Sequence, residues 1–198
     1  ELLVAVDDRC LSEDASVGIA QASVVDSDEK LAERVAFIHE RIGTHAIAEQ
    51  YIDGREIYVG VMGNERLQVL PIWELDFGKL AQGSSRIATL RVKHDPEYQE
   101  RRGILQGPAE NLSPELRARI NRFAKRICRT LQIDGYARID FRLGADGVPY
   151  FLEANPNPEI ARSQEFAEAA EHVGIDYPSL LERLLRLAIG RSRALDYA

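Results

Sequence analysis

Four side chains in the C-terminal third of the chain have the types and spacing of a site for a metal ion and a phosphate group. Arg138 and Asp140 lie two residues apart in one apolar run, and Glu153 and Asn155 lie two residues apart in the next. Side chains two apart on a strand share one face of a sheet. Mg²⁺ prefers oxygen ligands and often shares them with nucleotide phosphates, while a guanidinium holds phosphate oxygens with a fork of donors. The pattern therefore predicts ATP and Mg²⁺ (or Mn²⁺) as cofactors.

The two runs that carry these residues are predicted to pair as a hairpin. Residues 136–143 and 148–154 have strand composition, and the turn between them at 144–147 has glycine where a positive φ favours it. Asp140, Glu153 and Asn155 would be the metal ligands. Each short motif alone also fits a solvated strand face with exposed ion pairs, because short motifs are hypotheses until their structural context is known.

Three more strand-like runs come earlier, at residues 46–52, 56–62 and 67–73. An Asp-Gly pair separates the first two runs and a Gly-Asn pair the second two, so both junctions are predicted to be antiparallel hairpins. Upstream, residues 2–6 have the composition of a short buried strand, and a loop rich in small residues leads into a strand at 19–25.

Helices are predicted where apolar residues recur at helical spacing. The first is capped by Asp26 or Ser27 and ends before Gly43, and the second begins at the Ser113-Pro114 pair. The apolar stripe of the second consists of Leu116, Ile120, Phe123, Ile127 and Leu131. Two further helices are expected at residues 163–172 and 177–189.

The order of these elements indicates an α+β fold. Residues 74–112 have only brief apolar patches and are predicted to form a long loop over the site. Because the two polar motifs lie on separate sets of strands, we expect two lobes, residues 1–68 and 69–198, with the nucleotide between them.

The hairpin at 136–154 and the segment at 48–57 together resemble the ATP-grasp superfamily, specifically the branch of D-alanine–D-alanine ligases, and the resemblance extends over residues 4–187. It implies the ATP-grasp fold and an ATP-dependent ligase that joins a small-molecule carboxylate to an amine through an acyl-phosphate. It also implies that a domain precedes this one in the whole protein.

The resemblance assigns adenosine contacts to four residues. Glu49 would accept a hydrogen bond from the adenine amino group, and Glu56 would bind the ribose hydroxyls. Tyr51 and Ile52 would line the base, although ordinary core packing is the alternative for both.

Phosphate contacts follow from the same resemblance. Ser16 would touch the β- and γ-phosphates, and Lys93 on the long loop would join Arg138 in neutralising the transferring phosphoryl group. A solvated loop lysine is the alternative for Lys93. Arg9 stands where the family has a lysine on the α- and β-phosphates, and arginine and lysine are not equivalent at such sites.

The chain departs from D-alanine ligases after Asn155. Glu159 and Arg162 stand near the positions where the family has a glycine and a serine that help to bind the second D-alanine, which speaks against D-alanine as the acceptor. A surface ion pair between these two residues is the alternative. Two other functions stay open at this point: an ATP-grasp phosphotransferase, and a nucleotide-binding regulatory module without turnover.

Composition excludes several other classes of protein. The 198 residues are 45% hydrophobic, enough to bury one core or two small lobes, and the net charge of -7 argues against nucleic acid or anionic lipid as partners. Two cysteines without metal-type spacing and the absence of a long apolar run or leader predict a cytoplasmic protein without disulfides or a membrane span. Whether the protein forms a homodimer is left open.

Overall fold

The computed structural model describes three stretches of the chain, residues 4–7, 21–78 and 86–195. The chain divides into two compact units. Unit 1 comprises Glu1–Gly54 and Phe77–Leu105, and unit 2 comprises Arg55–Asp76 and Gln106–Ala198. Each unit combines an early segment with a later one, whereas the sequence-based prediction has a single boundary after Gln68. Helices accompany antiparallel strands, so the α+β prediction is confirmed.

Unit 1 contains a three-stranded sheet with its first strand in the middle. The strands are β1 (Val4–Asp7), β2 (Val24–Val25) and β3 (Ile47–Gln50), and β1 is antiparallel to both neighbours. Residues 21–25 are the described part of the strand predicted at 19–25, and there β2 is the strand while Gln21–Ser23 form a 3₁₀ turn.

Helix α1 (Asp28–Phe37) packs on this sheet. Its cap is Ser27, one of the two predicted, whose side chain accepts a hydrogen bond from the backbone N–H of Lys30 at 3.3 Å. The helix continues as a π-helical turn, Ile38–Ile42, and ends at Gly43 with a φ of 78°. The core of the sheet and helix is formed by Val6, Val25 and Ile38.

The hairpin predicted across Asp53 and Gly54 is wrong. β3 pairs with β1, while β4 (Gly54–Met62) belongs to a different sheet. An Asp-Gly pair favours a turn but does not select the partner of the strands it joins. Here it marks the point where the chain passes from unit 1 into unit 2.

The long loop predicted at 74–112 is also wrong in part. It contains α2 (Leu90–His94), α3 (Pro96–Arg102) and β6 (Leu105–Pro108), while residues 79–85 lie outside the described part. Thr89 caps α2 and Asp95 caps α3, each by accepting a backbone hydrogen bond three residues later. The helices are too short for a helical apolar period to show in the sequence.

Unit 2 is built on a five-stranded sheet in the order β6-β5-β4-β7-β8. The additional strands are β5 (Gln68–Asp76), β7 (Tyr136–Gly144) and β8 (Pro149–Asn155). Antiparallel pairing of β4 with β5 and of β7 with β8 confirms two of the predicted hairpins.

The side chains of β4 and β7 alternate between an apolar and a polar face. The apolar face packs against α4 (Pro114–Thr130) through Ile120, Ala124 and Cys128. Its strand residues are Ile57, Val59 and Val61 of β4 and Ala137, Ile139, Phe141 and Leu143 of β7. The alternate residues of both strands therefore face the other side of the sheet, where the polar side chains of the site lie.

Helix α5 (Glu165–His172) packs on the polar side of the sheet. A Cβ placed on Gly60 of β4 would lie 3.2 Å from the ring of Phe166, and that ring also meets Tyr136 edge-on at 5.7 Å. Glycine at position 60 therefore permits this close approach of α5 to β4.

Helix α6 (Tyr177–Leu195) closes the chain with Leu180 and Leu184 buried. Leu181 and Leu185 of the same helix are exposed. None of the helices within the described ranges is long and apolar enough to cross a bilayer.

Candidate functional site

The four side chains that the sequence singled out come together on β7 and β8. The antiparallel register places Arg138 opposite Asn155 and Asp140 opposite Glu153. Directly opposed residues have Cβ atoms about 4.5–5.5 Å apart. An irregularity in the register leaves Leu152 of β8 without a partner, so the alternation of β7 is undisturbed. The predicted placement on one face is confirmed, and the roles of the residues stay predictions.

Arg138 is held by three carboxylates. Its Nε and Nη2 donate to the two oxygens of Asp140 at 2.8 and 2.9 Å, and its guanidinium lies 3.8 Å from Glu165 and 3.9 Å from Glu153. Burial by itself opposes the charge of Arg138, but Asp140 and then Glu165 outweigh that effect and raise the pKa of the guanidinium. The site thus contains a permanently charged cation in a fixed orientation.

The remaining oxygen atoms suit a hard cation that is shared with phosphate. Asp140 is 3% exposed and the side chain of Glu153 is 41% exposed, while the Asn155 side-chain oxygen accepts from the backbone N–H of Asn157 at 2.9 Å. In the described ranges no three His, Cys, Asp or Glu side chains are grouped to hold a metal by themselves. Mg²⁺ is commonly bound by one or two carboxylates together with substrate phosphates. Two carboxylates and an amide oxygen fit that mode of binding.

A second buried polar group shares this face, and of its members Glu56 was predicted while Tyr58 and Arg142 were not. Glu56 accepts hydrogen bonds from Tyr58 Oη at 2.8 Å and from Arg142 Nη2 at 2.9 Å, and the guanidinium of Arg138 lies 5.0 Å from the centre of the Tyr58 ring. Burial, and next the Glu56 carboxylate, raise the pKa of Tyr58 well above its ordinary value, so its hydroxyl stays a donor. Strand alternation was the missed signal, because Tyr58 follows Glu56 by two residues and Arg142 follows Asp140 by two.

Glu165 is the other site residue that sequence reasoning missed. Its side chain is only 8% exposed and faces Arg138, and it is presented by the first turn of α5, which Phe166 fixes on the sheet at Gly60. No local pattern could reveal it, because its position depends on how α5 packs against a strand that is about a hundred residues earlier in the chain.

The predicted adenine contacts belong to unit 1. Glu49 is exposed on β3, and Ile52 is half-buried. Tyr51 is tied to the later segment of the unit, because its hydroxyl accepts from the backbone N–H of Arg86 at 3.0 Å and donates to the carbonyl oxygen of Arg86 at 3.3 Å. This arrangement holds the Tyr51 ring in place at the end of β3.

The predicted phosphate contacts of unit 1 are placed only in part. Lys93 lies in α2 and not in a loop. The residue is half-buried, and its ammonium group has no partner within the described residues. Arg9 and Ser16 lie outside the described residues.

Glu159 and Arg162 do not form the surface ion pair that was the alternative for them. The guanidinium of Arg162 lies 4.8 Å from the centre of the Tyr177 ring, a cation–π contact. Glu159 is exposed and has no partner among the residues that the structure describes. Both charges are therefore available beyond the end of β8.

Comparison with known proteins gives a consistent result. The family model described as D-ala D-ala ligase C-terminus matches residues 10–186. The D-alanine–D-alanine ligase of Desulfotalea psychrophila is 30% identical over 184 residues, which cover 90% of this chain and 52% of that ligase. The chain spans about half the length of the curated relatives it matches.

Solved structures share the fold. The D-alanine–D-alanine ligase of Bacillus anthracis has a TM-score of 0.73 at 22% identity, covering 98% of this chain and 56% of that one. The VanG D-Ala:D-Ser ligase of Enterococcus faecalis has a TM-score of 0.71 at 21% identity, covering 93% and 49%. Because the family match extends through both units and includes the whole β7–β8 hairpin, the chain belongs to the D-alanine–D-alanine ligase C-terminal family of the ATP-grasp superfamily.

Proposed function

We propose that the chain is the nucleotide-binding part of an ATP- and Mg²⁺-dependent carboxylate–amine ligase. The observation that carries the proposal is the register of β7 and β8, which sets Asp140 opposite Glu153 and Arg138 opposite Asn155. The relatives named D-alanine–D-alanine ligase support it, as does the Bacillus anthracis ligase solved in complex with ATP.

The polar side chains that β7 and β8 share, Arg138, Asp140, Glu153 and Asn155, form what we call the metal face, and they would act by neutralising charge. Asp140, Glu153 and Asn155 would hold Mg²⁺, which when bound offsets negative charge on the phosphoryl group. Arg138 would hold a phosphate oxygen from a fixed direction, since Asp140 and Glu165 already orient its guanidinium. Groups that need no reorganisation when charge develops are the most effective stabilisers of a transition state.

Other phosphate contacts are needed besides Arg138. We propose Lys93, Arg9 and Ser16 for this role. The ammonium of Lys93 has no partner within the described residues and is available to a phosphate.

Glu56 is the proposed partner of the ribose hydroxyls, with Glu49, Tyr51 and Ile52 at the base. One oxygen of Glu56 accepts from Tyr58 and the other from Arg142. An ionised carboxylate has about four lone-pair sites, so the Glu56 carboxylate retains acceptor capacity for two hydroxyl donors. Its two protein contacts would fix its orientation.

In the proposed reaction, a substrate carboxylate oxygen bonds to the γ-phosphorus of ATP as the bond to the β-phosphate oxygen breaks. ADP leaves and an acyl-phosphate remains. An amine then forms the carbon–nitrogen bond, and phosphate leaves with the electron pair of the broken carbon–oxygen bond while the amine loses a proton.

Binding of Mg·ATP tests the proposal on this chain. A ligand at about a hundred times its Kd stabilises a protein by about 2.7 kcal/mol, which raises the melting temperature by roughly 5–10 °C for a chain of this size. We expect Glu153→Gln to weaken binding about tenfold and to reduce the stabilisation at the same concentration to about 1.4 kcal/mol. Differential scanning fluorimetry measures both changes.

Glu171→Gln is the matched control, because it removes an exposed carboxylate from α5 in the same unit. It should respond to Mg·ATP as the wild type does. A native chain whose melting temperature does not change at millimolar Mg·ATP would contradict the nucleotide-binding proposal, and equal effects of the two variants would contradict the role of Glu153.

The proposed acceptor is an amine other than D-alanine. The carboxylate of Glu159 would repel the carboxylate of an incoming D-amino acid, and unpaired charges in a pocket discriminate strongly between substrates. Glu159 and Arg162 are not neutralised by each other, which supports this role.

Phosphate release by the full-length protein with a panel of amino acids tests the choice of acceptor. We expect turnover with cationic or larger acceptors and at least roughly tenfold less with D-alanine, and we expect Glu159→Gly to remove that preference. Rapid formation of D-alanyl-D-alanine by the wild-type protein would refute the proposal that the acceptor is an amine other than D-alanine.

A further inference from the structure

A cavity of about 290 Å³ lies in unit 2 between the turn that joins β4 to β5 and the middle of α6. Three arginines line it, Arg66 from the turn and Arg183 and Arg186 from the helix, together with the apolar side chains of Met62 and Leu187. Its volume is just below the usual range for ligand pockets, roughly 300–1,000 Å³, and suits a small molecule. The lining combines three arginines with apolar side chains.

The positive charge of this cavity is only partly balanced. Arg186 pairs with Glu182 at 2.7 Å, one helical turn away and largely exposed. Among the residues that the structure describes, Arg66 and Arg183 have no ion-pair or hydrogen-bond partner. The chain as a whole carries a net charge of -7, so a generally basic surface does not explain the cluster. Three arginines around one small cavity favour an anion with more than one charged group.

The two walls of the cavity are fixed to each other. The Asn64 side chain donates to the carbonyl oxygen of Leu187 at 3.0 Å and accepts from the backbone N–H of Gly135 at 2.9 Å. Gly63 has a φ of 131°, and a Cβ there would collide with the carbonyl oxygen of Arg66. The turn conformation therefore requires glycine, and the arginines are presented from a preformed frame.

This cavity is distinct from the metal face. The backbone N–H of Gly63 donates to the carbonyl oxygen of Gly135 at 2.8 Å, and Arg138 and Asp140 lie three and five residues farther along the chain, about 10 and 16 Å of strand. We propose that the cavity binds a compact polyanion of about the size of pyrophosphate through charge-assisted hydrogen bonds from Arg66, Arg183 and Arg186. Binding of this anion does not depend on the proposed ligase reaction.

Titration calorimetry with pyrophosphate tests this proposal, with EDTA present to exclude metal-dependent binding. We expect one saturable site in the cavity, and in R66Q/R183Q we expect its affinity to fall at least roughly tenfold, because two unpaired guanidinium groups are lost. The control R122Q/R126Q removes two exposed arginines from α4 and should keep the wild-type affinity within about twofold. Citrate is titrated in parallel, and tighter binding of one anion identifies phosphate or carboxylate as the preferred group.

Amide chemical shifts locate the site without any substitution. On addition of pyrophosphate to the wild-type chain, the signals of Gly63, Asn64 and Leu187 should move in parallel with the calorimetric saturation. The proposal is overturned if neither anion binds, if both double variants lose affinity equally, or if the shifts occur only at residues 138–155.

Discussion

Replacing Arg138 with alanine is expected to lower the free energy of unfolding by about 3–5 kcal/mol, because it leaves buried carboxylates without their counter-charge. Asp140 and Glu165 are 3% and 6% exposed, and Arg138 is the cation that faces both. Removing one partner of a buried pair costs far more than the pair contributes, since the remaining charge is still desolvated. Urea titration of the wild-type and variant chains measures the difference.

An exposed arginine provides the control for this substitution. Arg186→Ala also removes an ion pair, with Glu182, but both side chains are more than half exposed, so the loss should stay below about 1 kcal/mol. In a double-mutant cycle, Glu165→Gln should recover part of the cost of Arg138→Ala, with a coupling of about 0.5–3 kcal/mol. Equal losses for the two arginine variants would show that Arg138 is not held as described.

The parts of the fold that could be predicted are those encoded within one or two elements. A capping serine, a proline and an apolar stripe predict the α4 helix. Two apolar runs on either side of a Gly-rich turn predict the β7–β8 hairpin. The site face followed directly, because strand alternation puts Arg138 beside Asp140, and the short turn fixes which residues of β8 face them. The local sequence therefore sufficed to predict the part of the site that lies on β7 and β8.

The failures concern partners that are distant in the sequence. The Asp-Gly pair before β4 is typical of a hairpin turn, yet β3 pairs with β1, and the paired residues are at least 40 positions apart. Glu165 reaches Arg138 only because α5 packs on β4 at Gly60. The sequence did not predict the short helices α2 and α3 for a different reason. Each has too few residues to show a helical period of apolar residues, and its first turn depends on a capping side chain.

Asp140→Asn is expected to reduce ATP-dependent phosphate release by the full-length protein by at least roughly 10²–10³-fold, the range seen when one transition-state contact is removed. Asparagine keeps the shape of the side chain but loses the negative charge that a metal ligand supplies, and it no longer accepts both hydrogen bonds of the Arg138 fork. The loss should therefore appear in kcat, because both effects act on the charge that develops during phosphoryl transfer.

Unlike Arg138→Ala, this substitution leaves Glu165 beside the guanidinium, so the variant should remain folded under assay conditions. Asp134→Asn is the control, because Asp134 pairs with Arg191 at 2.9 Å on the surface of the same unit, and its loss should leave kcat unchanged. A rise in KM with an unaltered kcat would assign Asp140 to substrate binding alone. If the folded Asp140→Asn protein released phosphate at the wild-type rate, Asp140 would not be a ligand of the proposed metal site. The proposed site would then lose its central residue on the β7–β8 face.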